Sequence, residues 1–449
     1  MASAAEQLAA NLNLGAFAKA TELKKRIWFT LGALIIYRLG TYIPVPGIDP
    51  VALAQIFEQQ AQGMLGMFDM FAGGSLGRMT IFALSIMPYI SAAIIMQLLT
   101  AVSPKLNALK KEGESGRKKI NQYTRYGTVF LAAIQAYGIS VGLEGMRGPA
   151  GVSAVIDPGL FFRFTTVVTL TGGTIFLMWL GEQITQRGVG NGISLIIFAG
   201  IVANLPSALA STLELGRTGA LPAGVIVVLI AMAVAVIAFI VFVERSQRRI
   251  VVQYPKRQVG NKMFGGEQSH LPIKLNTAGV IPLIFASSLL LMPLTVAGFT
   301  GEGGGPEWLL TVTAMLGRGQ PLYLAFYVSL IVFFAFFYTS IVFNPDDTAD
   351  NLKKHGGFIP GIRPGKNTSD YIRYVLMRLT TVGAIYLALV AILPEILISQ
   401  YNVPFYFGGT SLLIVVSVTM DTVAQVHSHL LAHQYEGLIK KAKLKGRRG

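Results

Sequence analysis

Few residues in this chain are arranged to do chemistry. The run Gly361-Ile362-Arg363-Pro364-Gly365-Lys366-Asn367 superficially suggests a phosphate loop, in which backbone N–H groups and a lysine cradle phosphate. The glycine spacing is wrong for that, and Asn367 stands where a Ser or Thr hydroxyl would hold Mg²⁺. Gly188, Gly190 and Gly192 follow a long apolar stretch rather than a strand, so the context of a dinucleotide site is missing. His429 and His433 are four residues apart and share a helical face, with His427 nearby, which could support a metal. No acidic neighbour of the zinc-protease kind accompanies them, and ordinary interfacial histidines are the competing reading. The absence of cysteine excludes disulfide and thiolate chemistry. The expectation is therefore no catalytic residue, no metal and no cofactor: the chain does not read as an enzyme.

The elements that carry these residues are membrane helices. The chain has 449 residues, 53% of them apolar, with a mean hydropathy of +0.57. Apolar stretches of about 17–25 residues match a hydrocarbon core of roughly 30 Å. They fall at 27–43, 79–100, 127–143, 161–181, 193–213, 220–243, 276–298, 322–343, 375–398 and 407–430. In lipid, every backbone polar group must be satisfied within its own segment, so each stretch reads as a helix. Most of the 37 lysines and arginines lie in every second gap: 19–26, 105–125, Arg187, 245–274, 353–378 and 440–448. Positive residues stay on the cytosolic side, so this alternation predicts ten crossings with both termini cytosolic. Much of the net charge of +15 then belongs to topology and anionic lipid rather than to nucleic acid. Residues 3–20 read as a short amphipathic helix on the cytosolic surface, not as a cleavable leader.

Ionisable residues inside membrane spans mark transport pathways. Here the mid-span ones reduce to Arg38 and Asp421, with Glu182 and Glu395 near helix ends. Arg38 reads as snorkelling toward the outer face. Asp421 reads as a helix–helix hydrogen bond, with a proton relay as the alternative. So neutral a set disfavours an ion-coupled pump and favours a passive pore driven by external partners.

Ten spans divide into two groups of five, which permits an inverted repeat. The halves run over 27–213 and 220–430, flanked by a segment 1–26 and a basic tail 431–449. Pro88 in the second span and Pro282 in the seventh occupy equivalent places, as interrupted helices around a central pathway would. Membrane helices also tolerate prolines without such a role. The apolar segment 64–74 is too short to cross and suits either a re-entrant half-helix or an interfacial helix. Two basic connections exceed what linkage needs. In 244–275, alternating Ile250, Val252 and Tyr254 with basic flanks read as a β-hairpin arm. In 344–374, the Pro- and Gly-rich run 358–365 reads as a turn at a loop tip.

Several motifs closely resemble the SecY family. They are Lys111-Glu112-Gly113-Glu114-Ser115-Gly116-Arg117, the run 123–127 and Met178-Trp179-Leu180-Gly181-Glu182-Gln183-Ile184-Thr185. Others are 188–194, His270-Leu271-Pro272, 361–365 and Val403-Pro404-Phe405-Tyr406-Phe407-Gly408-Gly409-Thr410. The likeness runs in order from 23 to 446. It implies an all-α polytopic membrane protein: two pseudo-symmetric five-helix halves, a re-entrant plug helix, and an hourglass pore opening sideways into lipid. The implied pore ring is Ile86, Ile90, Ile193, Ile197, Ile284 and Ile414, residues that spacing alone would read as ordinary buried isoleucines. The plug is 64–74, with Met64, Gly66, Phe68, Asp69, Phe71, Gly73 and Gly74. The lateral gate takes in Pro88, Ser91, Gln135, Asn276 and Pro282.

Docking of a SecA motor or a ribosome is implied for Arg248, Arg249, Lys256, Arg257, Lys262 and Arg363. Relatives often carry two adjacent basic residues where this chain has Asn261-Lys262, a departure that bears on docking at Asn261. The implied partners are SecE and SecG subunits, the SecA ATPase, the ribosome with its RNA and proteins, unfolded secretory and membrane polypeptides, and anionic lipids. The implied place is the bacterial plasma membrane. The function expected is a protein-conducting channel; the alternative from another class is a secondary transporter of small solutes.

Overall fold

The computed structural model describes residues 20–60, 69, 72–145, 153–218, 222–255, 257–259, 262–264, 268–298, 320–401 and 409–445, without the side chains of 58–60, 215, 223, 225, 257–259, 262–264, 291–298, 394–401, 409 and 433–445. Helix covers most of each of the ten apolar stretches. In chain order the helices are α1 Thr21–Gly40, α2 Pro50–Gln60, α3 Met87–Val102, α4 Pro104–Lys111, α5 Glu114–Gly145, α6 Leu160–Arg187 and α7 Gly192–Ala203. They continue as α8 Leu205–Arg217, α9 Ala223–Arg245, α10 Ile281–Gly298, α11 Pro321–Val342, α12 Pro345–Lys354, α13 Lys366–Tyr401 and α14 Gly409–Lys445. Among the described residues, 7 helices are long and apolar enough to cross a membrane, or 8 if α3 and α4, bent by 98° at Ser103, form one span. α1 falls outside that set because Glu22, Lys24, Lys25, Arg26 and Arg38 interrupt its apolar run.

The helices gather into two compact units. One comprises Met1–Tyr89, Arg125–Asn204 and Val418–Gly449; the other comprises Ile90–Thr124 and Leu205–Ser417. In the first unit α7 packs on α6 and α1, and α6 packs on α1. Leu170, Leu177, Ile184 and Ile196 are fully buried there. Asn191 starts α7 by accepting the Ile193 and Ser194 N–H groups, two donors with no carbonyl inside the helix. In the second unit α10 packs on α11 and α11 on α13. The Phe285 ring meets Phe334 edge-on at 5.6 Å between centroids.

The expected second span is only partly helical. Residues 72–86 form a chain of turns, and α3 starts at Met87. Met79 and Ser85 have φ of 44° and 50°, which no α-helix accommodates. The backbone bonds instead with the strand-like segment after α1: Val45 N–H donates to Met79 O at 2.9 Å and Ile81 N–H to Ile43 O at 3.0 Å. Pro88 therefore does not interrupt a span. It lies in the first turn of α3, where its missing N–H breaks no helical hydrogen bond. Pro282 lies at the same place in α10, so both helices open on an apolar residue followed by proline.

Candidate functional site

The expected β-hairpin arm is present. β1 Gln247–Gln253 and β4 Gln268–Lys274 pair antiparallel, with Ile250 opposite Leu271. β2 Arg257–Val259 and β3 Lys262–Phe264 pair farther out. Alternation sends Ile250 and Val252 inward and Arg249 and Val251 outward, and Arg248, near the start of the strand, is exposed too. The turn 358–365 joins this arm. Gln253 N–H donates to Phe358 O at 2.8 Å, and Phe358 N–H returns to Gln253 O at 2.9 Å. Beneath that exchange Ile250, Ile273, Ile359, Ile372 and Leu376 form one buried cluster. Two connections this far apart in the chain would otherwise move separately; here they are one platform at the ends of α9, α11 and α13.

Arg363 is exposed at the tip of this platform, and its carbonyl accepts the Thr368 hydroxyl at 3.0 Å. Gly361 and Gly365, with φ of 81° and 112°, make the turn that presents it. Asn344 caps α12 by accepting the Asp346 N–H at 3.1 Å. The Asp346 carboxylate takes Arg373 at 3.1 Å and the Ser369 hydroxyl, tying α12 to α13. Arg257 and Lys262 lie on the outer strands, while Lys256 and Asn261 fall outside the described residues.

A second constellation surrounds the exit of the expected plug. The Asp69 carboxylate accepts the N–H groups of Leu76 and Gly77, each at 2.8 Å, and Asp69 O accepts Gly74 N–H at 2.9 Å. Burial pushes the Asp69 carboxyl above the usual carboxylate range, against the opposing pull of those two amides and of Arg78. Gly73 and Gly74 follow with left-handed backbone. Met64, Gly66, Phe68 and Phe71 lie outside the described residues.

The expected ring residues divide between the units. Ile86, in the turn before α3, and Ile197 on α7 are buried in the first, where Ile193 is half-buried. Ile90 on α3 and Ile414 on α14 are buried in the second, where Ile284 on α10 is half-buried. Of the expected gate residues, Pro88 and Pro282 are buried and Ser91 is half-buried. Gln135 on α5 has a buried Oε1 with no hydrogen-bond partner among the described residues. Asn276 is buried, and its Nδ2 donates to Glu244 Oε1 at 2.8 Å and to Gly279 O at 3.1 Å.

Three further readings are resolved in part. Asp421 is exposed on α14, and among the described residues no hydrogen bond ties it to another helix, so the expected interhelical bond is not made. That turn of α14 faces outward. His427 and His429 are exposed, the His433 side chain lies outside the described residues, and no group of metal-binding side chains occurs among those described. Glu182 is held by Arg125 through two contacts of 2.9 and 2.6 Å, joining α5 to α6.

Comparison with known proteins decides the family. The SecY family model matches residues 80–423. The protein translocase subunit SecY of Escherichia coli strain K12 is 57% identical over 425 residues, covering 95% of this chain and 96% of that protein. The chain belongs to the SecY family. Its function is that of a protein translocase subunit, and it is a multi-pass membrane protein. A SecY channel structure, described as one whose plug domain stabilises the closed state and maintains a membrane seal, shares the fold at TM-score 0.64 and 19% identity, covering 91% of this chain and 92% of that one. Sec61 from the canine ribosome–channel complex shares it at TM-score 0.59 and 18% identity, with 91% and 92% covered.

Within this SecY-family framework, the contacts of two residues were not foreseen from the sequence. Arg38 donates to Gly73 O at 2.9 Å, to Tyr42 Oη at 3.0 Å and to Thr41 Oγ1 at 3.4 Å, instead of merely reaching for the outer face. Glu244, at the end of α9, receives Asn276 at the foot of the β-hairpin arm. The available signal for Arg38 was its rarity: an arginine within an apolar span, one connection before a short apolar segment.

Proposed function

We propose that this chain conducts unfolded polypeptides through a central pore closed by a plug, and releases transmembrane segments sideways into lipid. The supporting observation is the fused platform of arm and turn. A loop that merely connected helices would not need a hydrophobic core of its own, nor a basic tip held rigidly above it. Arg248, Arg249 and Arg363 present charge suited to ribosomal RNA phosphates or to the acidic surface of a SecA-type motor. That Sec61, which shares the fold, occurs in a ribosome–channel complex favours the ribosome as one such partner. Both termini lie in the cytosol, with the platform, in a bacterial plasma membrane; SecE- and SecG-type subunits complete the assembly.

The collar consists of Ile86, Ile90, Ile193, Ile197, Ile284 and Ile414. β-Branched side chains are stiff at χ1 and offer no hydrogen bonds, so a ring of them restricts water and ions without gripping a passing peptide. Through the side gate a segment chooses lipid by its composition. Each Leu-type residue favours lipid by roughly 0.3–0.6 kcal/mol, whereas a central Arg or Asp costs about 2.5–3.5 kcal/mol. The comparisons favour this channel over a transporter of small solutes. Arg363→Glu tests the docking role: secretion is lost while the protein remains inserted at wild-type level. Normal secretion by that variant removes Arg363 from the coupling surface.

A further inference from the structure

The carbonyl of Gly73 is the meeting point of two guanidinium groups. Arg38 Nη1 donates to it at 2.9 Å from the last turn of α1, and Arg78 Nη2 at 3.4 Å from five residues along the chain. Both guanidiniums also lie against the Tyr42 ring, 5.0 and 4.3 Å from its centroid, so each is braced from a second direction. Among the described residues neither has a carboxylate partner at ion-pair distance. A helix C-terminus favours a cation by itself, but that preference does not explain why both charges converge on one peptide oxygen.

Gly73 has nowhere else to go while this contact is made. Its φ is +68°, and a Cβ built there would stand 2.9 Å from Gly200 Cα, on α7, and 3.3 Å from the Tyr37 hydroxyl. That hydroxyl is buried and has no hydrogen-bond partner among the described residues. Upstream, the Asp69 carboxylate is knotted to the Leu76 and Gly77 amides. Gly73 is thus pressed between α1 and α7, with its oxygen turned toward the arginines. The next residue, Gly74, has φ of +79°, so the Gly73–Gly74 peptide joins two left-handed glycines. Glycine crosses between conformations at low steric cost, and rotating that peptide would withdraw the oxygen from both arginines at once.

We infer that Arg38, backed by Arg78, is the latch that holds the plug in its resting seat, by gripping the main chain at the plug's exit hinge. It is a positioning residue, and the inference rests on the plug reading proposed above. An arginine inside an apolar span is costly to insert, which is the general mark of a functional group at membrane depth. Gripping a carbonyl rather than a side chain has a mechanical consequence. The bond depends on the direction of one peptide, so it is made or lost as a whole when the hinge turns.

The chain has no cysteine, so Phe68→Cys supplies a single thiol in the plug segment. In the full translocase reconstituted into vesicles, two quantities are read at rest: ion conductance and the rate of thiol labelling by a membrane-impermeant maleimide. Arg38→Gln is expected to raise both roughly tenfold or more, the scale set by losing one charged hydrogen bond. Arg38→Lys, which keeps a donor and the charge, restores part of the seal, and melting temperature stays near wild type. Arg78→Gln removes the second donor to the same oxygen and decides the matter if Arg38→Gln does not accumulate. Deleting residues 64–74 separates the two ideas. If the deletion leaks and neither Arg38→Gln nor Arg78→Gln does, the latch is wrong and the plug stands. If the deletion leaves resting conductance unchanged, the plug reading fails and takes the latch with it.

Discussion

Truncating one isoleucine in the turn should loosen the hairpin arm across from it. Ile359 is 5% exposed and belongs to the cluster that holds Ile250, Ile273, Ile372 and Leu376. Four of these five, all but Leu376, lie outside the apolar spans, where water drives burial in the ordinary way. Ile359→Ala removes three carbons from that cluster. Large-to-small changes of this kind cost about 2–5 kcal/mol, depending on how far the surroundings collapse into the space. The loss falls on a local unit, so it appears as easier local opening before it appears as global unfolding.

The Gln253 amide reports it, because that N–H donates across the gap to Phe358 O at 2.8 Å. At about 1.4 kcal/mol per factor of ten, a loss of about 2–5 kcal/mol speeds hydrogen exchange at Gln253 roughly 30- to 4,000-fold. Amides in the middle of α6, in the other unit, should be unaffected and serve as the internal control. Exchange at Gln253 unchanged within about threefold, in a variant that folds and inserts normally, would refute the claim that the two loops form one body. An increase spread evenly over both units would refute the claim that the platform is a local unit.

Two smaller perturbations test the supporting contacts. Asn344→Ala removes the cap of α12, worth about 1 kcal/mol, and should speed exchange of the Asp346 amide about fivefold; no change would show that the cap is idle. Glu144→Gln leaves Arg163 without its ion-pair partner, a contact made through Arg163 Nε at 2.9 Å beside a Gly159 N–H bond at 3.0 Å. The expected cost is roughly 1–3 kcal/mol, read as a lower melting temperature in mild detergent, and a melting temperature within about a degree of wild type would contradict it.

The fold was legible where a pattern repeats. Apolar runs of membrane length announce helices because lipid leaves the backbone no other way to satisfy its polar groups. The arm was legible too, since buried Ile250 and Val252 alternate with exposed Arg249 and Val251 as a pleated strand requires. Residues 79–86 were misread because an apolar turn and an apolar helix have the same composition. What distinguishes them is the left-handed backbone at Met79 and Ser85, and neither is a glycine that would have signalled it. Pro88 was rightly noticed and wrongly placed. A proline at the start of a helix and one in its middle look alike until the start is known.

The candidate site shows the same division. Arg248, Arg249 and Arg363 were legible as basic residues on long connections, and their exposure follows. The partners of Arg38 were not, because Gly73 contributes only a carbonyl, which every residue carries. Ile359 gave no warning either: one isoleucine between a phenylalanine and a proline has no periodicity to read. By itself the sequence determined that the chain is built of apolar elements of membrane length with basic residues gathered in the connections between them, because hydropathy and charge act residue by residue. Only the tertiary structure decided that two distant basic loops share one core and that an arginine in an apolar span grips the backbone beyond it. Those outcomes depend on which surfaces meet and where one peptide oxygen points, quantities that no single residue type encodes.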